Sequence, residues 1–360
     1  MEPPGGTPDS EDLGRAARRA LWVGGLSLGL LVLAAVTLVR ALGDPDDLIR
    51  LRREADPVLL VGSIVPLFGG IVFMAFRWRE LLPGRERIPP WGLVGICAAG
   101  QLLNVALPGP VGEFIAAAMV RRRYGIPGTM AFAAAIHSRF VGVTTAAVLS
   151  LGIWLVVPIP MDETTRRLML GAVIFVAASG LGLAVFAAWP QAFTWLSERT
   201  LGRGSTWRLG FLARVLARSH ELGMRLTQAL ADLGRSFGWP HVRAAGWALV
   251  GLLSVTLGTV GASHALGHPG DPAAMAFAHA SLTAGAIVLF ALPVGQLGWD
   301  AAFAALLATV VALPLEHALA IAILVRLAQF LIMLGGAVVL LGEVRHLGRP
   351  SPDAAQARDG

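Results

Sequence analysis

The sequence has no lysine; all 29 basic residues are arginine. That absence removes lysine Schiff-base chemistry and the lysine of a P-loop. A single cysteine, Cys97, leaves no intramolecular disulfide and no cysteine-rich metal or iron–sulfur site. It reads as a small apolar residue inside a helix. Charge is also scarce. Of 360 residues, 14% are charged and 55% hydrophobic, and mean hydropathy is +0.68. An ordinary soluble domain carries about 25% charged residues and needs them to solvate its surface. The composition therefore argues against a soluble enzyme, a secreted disulfide scaffold and a disordered protein, and for an all-α, multi-pass membrane protein. No HExxH, GxSxG, P-loop, CxxC or dinucleotide fingerprint occurs, so no enzyme, metal or cofactor is expected. The net charge of +6 fits basic cytoplasmic loops better than nucleic-acid binding.

Residues 1–14 are polar and read as a disordered cytosolic start. The apolar run Ala20–Val39 follows Arg15, Arg18 and Arg19 and exceeds the roughly 7–15 residues of a signal-peptide core. It reads as the first spanning helix. Five more full spans are expected at Pro57–Phe76, Thr129–Val157, Leu168–Trp189, His241–Leu266 and His317–Leu341. Two other apolar stretches are broken by proline and glycine. Trp91–Leu107 meets Pro108-Gly109-Pro110-Val111-Gly112-Glu113 before the short run Phe114–Val120. Ala273–Leu292 meets Pro293-Val294-Gly295-Gln296-Leu297-Gly298-Trp299-Asp300 before Ala301–Leu313. Proline stops a helix, and broken backbone at membrane depth survives only beside protein or a wet cavity. Both stretches read as re-entrant hairpins.

With both termini inside, most arginine-rich loops fall on the cytoplasmic face, as the positive-inside rule requires. Arg50, Arg52, Arg53, Arg166 and Arg167 are the exceptions. The 190–240 insert contains Leu212, Leu216, Leu222, Leu226, Leu230, Leu233 and Phe237 at mostly helical steps, with arginines between them. It reads as an amphipathic helix, either on the inner membrane surface or against the cytosolic end of the bundle. Residues 15–343 form the membrane domain and 344–360 a cytosolic tail.

The strongest signal is an internal repeat. Glu113, Pro127 and Arg139 recur as Asp300, Pro314 and Arg326 at one offset of 187 residues. Each unit, about 91–158 and 273–342, reads as break, carboxylate, short helix, proline turn and long helix bearing an arginine. Under the expected topology the units enter from opposite faces, making an inverted repeat. Arg139 and Arg326 then lie close to the bilayer centre. An unpaired arginine there costs at least about 2.5–3.5 kcal/mol, so each should meet a partner or a wet cavity. Glu113 and Asp300 are the available partners. Two readings stand: the pairs tie the hairpins together, or they bind and gate a polar, anionic head group. Which carboxylate meets which arginine stays open. Gln101, Asn104 and His137 are supporting polar residues. His264 and His279 read as satisfied buried histidines, and Glu316-His317 as a solvated membrane boundary.

These residues resemble the flippase-like transmembrane domain of bacterial lysylphosphatidylglycerol synthases and its stand-alone relatives. The matching stretches are Arg77-Trp78-Arg79-Glu80-Leu81-Leu82, Asn104 through Glu113, Arg121 through Pro127 and on to Arg139, Pro293 through Asp300, and Leu324-Val325-Arg326. The resemblance implies a helical fold in the inner membrane that moves a lipid or lipid-linked head group between leaflets. It implies membrane lipids as partners, with anionic or lipid-linked head groups. The soluble synthase domain is not expected in the short stretch after Leu341. Where family members often carry arginine, this chain has Pro110 and Ala116, which leaves Arg139 and Arg326 as the main deep cations. An alternative is a non-transporting partner of a cell-envelope glycosyl- or acyltransferase. An intramembrane lipid enzyme using Glu113 with His137 has no nucleophile or metal set to accompany them.

Overall fold

The computed structural model describes residues 29, 50, 53–106, 111–159, 163, 166–167, 170–171, 238–290 and 295–347. Apart from residues 29 and 170–171, the runs Ala20–Val39 and Leu168–Trp189 lie outside them, as do nearly all of the 190–240 insert and Pro108, Gly109 and Pro293. Among the described residues there is no strand. The helices whose full range is described are α1 Pro57–Leu81, α2 Val94–Ala106, α3 Val111–Tyr124, α4 Gly128–Val156, α5 Trp239–Ala265, α6 Pro272–Phe290, α7 Gly295–Val310 and α8 Leu315–Leu347. Four are long and apolar enough to cross a membrane: α1, α4, α5 and Leu315–Gly342 of α8. Their exposed side chains include Val65, Val148, Leu257 and Val338, an apolar surface suited to lipid.

Local chemistry sets the helix ends. The Asp56 carboxylate caps α1 by accepting from Val58 and Leu59 N–H, at 2.8 and 3.1 Å. Asp271 does the same for α6 through Ala273 and Ala274. Pro127 precedes α4 and Pro314 precedes α8, each fixing the turn into a long helix. Several boundaries differ from the sequence expectation: α1 runs five residues past Phe76 to Leu81, and α7 begins at Gly295, inside the expected break Pro293–Asp300. Helix α8 runs to Leu347, past the tail boundary placed at 343–344, and Trp239 and Pro240 open α5 instead of closing the insert. Proline suits a first helical turn, where its missing N–H would have had no intrahelical acceptor.

The helices form two sets of four, α1–α4 and α5–α8, and their contacts correspond. Helix α2 packs on α3 and α3 on α4; likewise α6 packs on α7 and α7 on α8. Across the sets, α2 lies against α8 and α6 against α4. Gly128 and Leu315, the first residues of α4 and α8, stand at the 187-residue offset seen in the sequence. The sets meet most extensively where α1 packs on α5. That pair is antiparallel. Asp56 N–H donates to Ala265 O at 2.8 Å near one end, Ser254 Oγ to Pro66 O at 2.8 Å in the middle, and Arg243 Nη2 to Glu80 Oε1 at 3.0 Å near the other. The Ser254 bond falls where Pro66 interrupts α1.

Candidate functional site

Each hairpin brings a carboxylate from its second arm to an arginine in the following long helix. Glu113 lies in the first turn of α3 and Asp300 near the start of α7. Arg139 and Arg326 occupy the same position in α4 and α8. At ~1.5 Å per residue, each lies about 16 Å from the start of its helix. The pairs form within each unit: Arg139 Nη2 donates to Glu113 Oε1 and Arg326 to Asp300. Matching sequence spacing has become matching geometry.

The two pairs are not identical. Asp300 receives Arg326 side-on, from Nε to Oδ1 and Oδ2 at 3.1 and 2.9 Å and from Nη2 to Oδ1 at 2.6 Å. Arg326 Nη1 also donates to Gln329 Oε1 at 3.1 Å, and its guanidinium sits 5.7 Å from the Trp299 ring centre. This pair is fully engaged, with Arg326 buried and Asp300 half-buried. Glu113 is 7% exposed. Its Oε1 accepts from Arg139 and from Asn104 Nδ2 at 2.9 Å, while Oε2 has no hydrogen-bond partner among the described residues. Beside it is a cavity of about 40 Å³ lined by Gln101, Gly112, Glu113 and Arg139, among others. That exceeds the roughly 10–15 Å³ needed to admit a water. One side of the site is therefore closed and the other retains an acceptor and space.

Asn104 ties the first hairpin. Besides serving Glu113, its Oδ1 accepts from Gly112 N–H at 2.7 Å. That N–H belongs to the first turn of α3, where a helix lacks its own acceptors. Gly112 admits this contact because a Cβ there would run into Gly100 O and the Asn104 amide. Gln101 lines the cavity and donates weakly to Met74 Sδ at 3.6 Å. Gly295 and Gly298 open α7, the first residue after the second break and the first turn before Asp300.

Several expectations need correction. His137 stacks edge-on with His241 at 5.0 Å, away from the Glu113–Arg139 pair. The two-residue step from Arg139 puts it on another helix face. His264 is exposed, because the end of α5 turns it outward. His279 is buried as expected, against the rings of Trp299 and Phe303, but its Nδ1 has no hydrogen-bond partner among the described residues. His317 is buried too, 4.1 Å from the His268 ring, so Glu316-His317 is not a solvated pair. Finally, a further arginine joins Arg139 and Arg326. Arg77 of α1 donates from Nε to Ser138 Oγ at 3.0 Å and interacts electrostatically with Arg139. Its guanidinium lies over Gly142, where a Cβ would displace it. Arg139 thus has a second cation beside it, whereas Asp300 and Arg326 balance. The expected span ended at Phe76, which put Arg77 in a cytoplasmic loop, whereas α1 continues through it to Leu81. Its place as the one charge between apolar Phe76 and Trp78 was the available signal.

Comparison with known proteins agrees with this architecture. The chain is 32% identical over 136 residues to "Glycosyltransferase AglD" of Haloferax volcanii, a match covering 37% of this chain and 21% of that protein. The chain thus spans about a fifth of that relative's length. No solved structure matches. Residues 22–336 match the family described as the lysylphosphatidylglycerol synthase TM region. This multi-pass helical membrane protein belongs to that family.

Proposed function

We propose that the protein moves the polar head group of a lipid or lipid-linked molecule between the leaflets of a bacterial inner membrane. The observation that carries this reading is the matched pair of ion pairs, Glu113–Arg139 and Asp300–Arg326, at equivalent positions of two like units. Charges held at such depth are costly without a purpose or a partner. Here they come with a small cavity and an open carboxylate oxygen.

In this reading Arg139 and Arg326 engage the head group, while Glu113 and Asp300 are counter-charges exchanged during passage. Arginine presents a planar fork that suits phosphate or carboxylate. Gln101 and Asn104 line the path, and the glycine–proline tips around Pro108, Gly109, Gly112, Pro293, Gly295 and Gly298 give it pliable backbone. Acyl tails stay in lipid. No ATPase motif occurs in the sequence, so movement runs downhill or draws on a gradient or partner. In this reading the chain is an inverted repeat with six spans and two re-entrant hairpins, and two features support the repeat. The helix contacts correspond between sets, and a two-fold relating antiparallel α1 and α5 runs perpendicular to them, in the membrane plane. Both termini are then cytoplasmic.

A second reading, a non-transporting partner of an envelope glycosyl- or acyltransferase, draws on the match to a protein named as a glycosyltransferase. Proteoliposomes separate the two. Wild-type protein alone, reconstituted with lipid extract, is expected to exchange lipid between leaflets, and Arg139→Gln is expected to slow it at least ~10-fold. No exchange by wild type, together with co-purification of a stoichiometric enzyme, favours the partner reading.

A further inference from the structure

The first hairpin leaves two groups unmatched. Glu113 is buried, and its Oε2 has no hydrogen-bond partner among the described residues. Arg77 is half-buried, and among those residues no carboxylate pairs with it. Its Nε donates to Ser138 Oγ at 3.0 Å, and its guanidinium rests against Gly142. An acceptor without a donor and a cation without a carboxylate share one neighbourhood. The cavity of about 40 Å³ beside Glu113 is walled by Met74 and Trp78, which flank Arg77 in α1, and by Cys97 of α2. Cys97 lies within electrostatic reach of Arg77, Glu113 and Arg139 alike.

The direction of the Arg77 side chain adds to this. Arg77 stands four residues from the end of α1, where a long cationic side chain can extend to the near interface. Its neighbour Trp78 does reach that way, its Nε1 donating to Ala131 O at 3.2 Å in the first turn of α4. Arg77 turns the other way, to Ser138 and Gly142 in the middle of α4. At 1.5 Å per residue, that is roughly 10–16 Å further along the helix than Ala131. There it meets the like charge of Arg139. A guanidinium sent inward toward another guanidinium is costly unless an anionic partner lies within reach. The second unit has no such arrangement. Arg326 fills both oxygens of Asp300, and the residue at the offset of Arg77 is the exposed His264.

We infer that Glu113 exchanges partners, from Arg139 to Arg77, and that the exchange frees Arg139 for the transported head group. The purpose of the swap rests on the transport reading; the swap itself does not. Arg77 leaves Gly142, crosses the cavity and donates to Glu113 Oε2. The carboxylate holds a guanidinium throughout, so no step strands it in an apolar interior. Arg77 is thus a positioning residue, and the first hairpin is the moving half of the site while Asp300–Arg326 stays closed.

The test has two readouts. The first is the unfolding midpoint of the full chain in detergent, which needs no lipid movement. Arg77→Gln is expected to lower the midpoint more in an Arg139→Gln background than in wild type, because Glu113 then loses its second partner. Gly142→Ala reports where the guanidinium lies. Its Cβ meets Arg77 in wild type and is expected to lower the midpoint there. In Arg139→Gln, with Arg77 drawn to Glu113, it is expected to lower it no further. Additive effects of Arg77→Gln and Arg139→Gln, or an equal effect of Gly142→Ala in both backgrounds, overturn the proposal. The second readout is lipid exchange in proteoliposomes. Arg77→Gln alone is expected to slow exchange about tenfold with a midpoint near that of wild type. Exchange at the wild-type rate overturns the role of Arg77 in movement. If wild-type protein moves no lipid while the midpoints behave as expected, the transport reading fails and the exchange of partners stands.

Discussion

At the scale of single residues, Glu113 and Asp300 hold the same rank in the sequence but different surroundings. Asp300 has both oxygens filled by a buried Arg326, so Asp300→Ala leaves a guanidinium stranded among Trp299, Gln329 and apolar neighbours. Breaking a buried pair from one side costs about 3–5 kcal/mol. A large fall in the unfolding midpoint in detergent is the expected result. Asn104→Ala removes one donor from Glu113 and the acceptor of Gly112 N–H, for an expected loss of about 1–3 kcal/mol in the same assay. The four paired charges were legible in the sequence because each interrupts an apolar run at a repeated spacing. Arg77 was less so. Its counterpart at the 187-residue offset is His264, which is exposed, so the repeat does not mark it. The burial of His317 was not legible at all, since the ring that covers it belongs to the loop residue His268.

At the scale of elements, breaks in hydrophobic runs located helices well, because proline and glycine stop or bend a helix for local reasons. The ends of α4 and of α5 fell within a few residues of expectation. Local chemistry does not say how far a helix continues once its residues turn polar, and α8 runs on through Glu343 and Arg345 to Leu347. The approach of α2 to α3 depends on Gly112 lying against Gly100 O. Gly112→Ala is expected to push the arms apart, break the Asn104 bridge and lower the unfolding midpoint, while Gly246→Ala, with open space around its Cβ position, leaves it unchanged. Gly142→Ala displaces the Arg77 guanidinium and is expected to reduce lipid exchange more than it reduces stability.

For the whole molecule, the recurring spacing was legible in the sequence, and the corresponding helix contacts were not. The sequence marked residues 91–158 and 273–342. The correspondence of contacts also takes in α1 and α5, whose sequences carry no shared motif and whose likeness lies in packing alone. An inverted arrangement puts the two ends of the α1–α5 pair on opposite membrane faces. In a Cys97→Ala background, Arg87→Cys is expected to react with an impermeant thiol reagent only from the cytoplasm and Pro269→Cys only from the other face. Labelling of both from one side contradicts that topology. The central claim, that paired charges between the hairpins carry a head group across, is tested most directly by replacing one pair with apolar residues of similar size. Asp300→Leu with Arg326→Met leaves no stranded charge and is expected to fold. In proteoliposomes, the expected result is loss of lipid exchange with a near-native unfolding midpoint. Exchange at the wild-type rate by the folded double variant contradicts the claim.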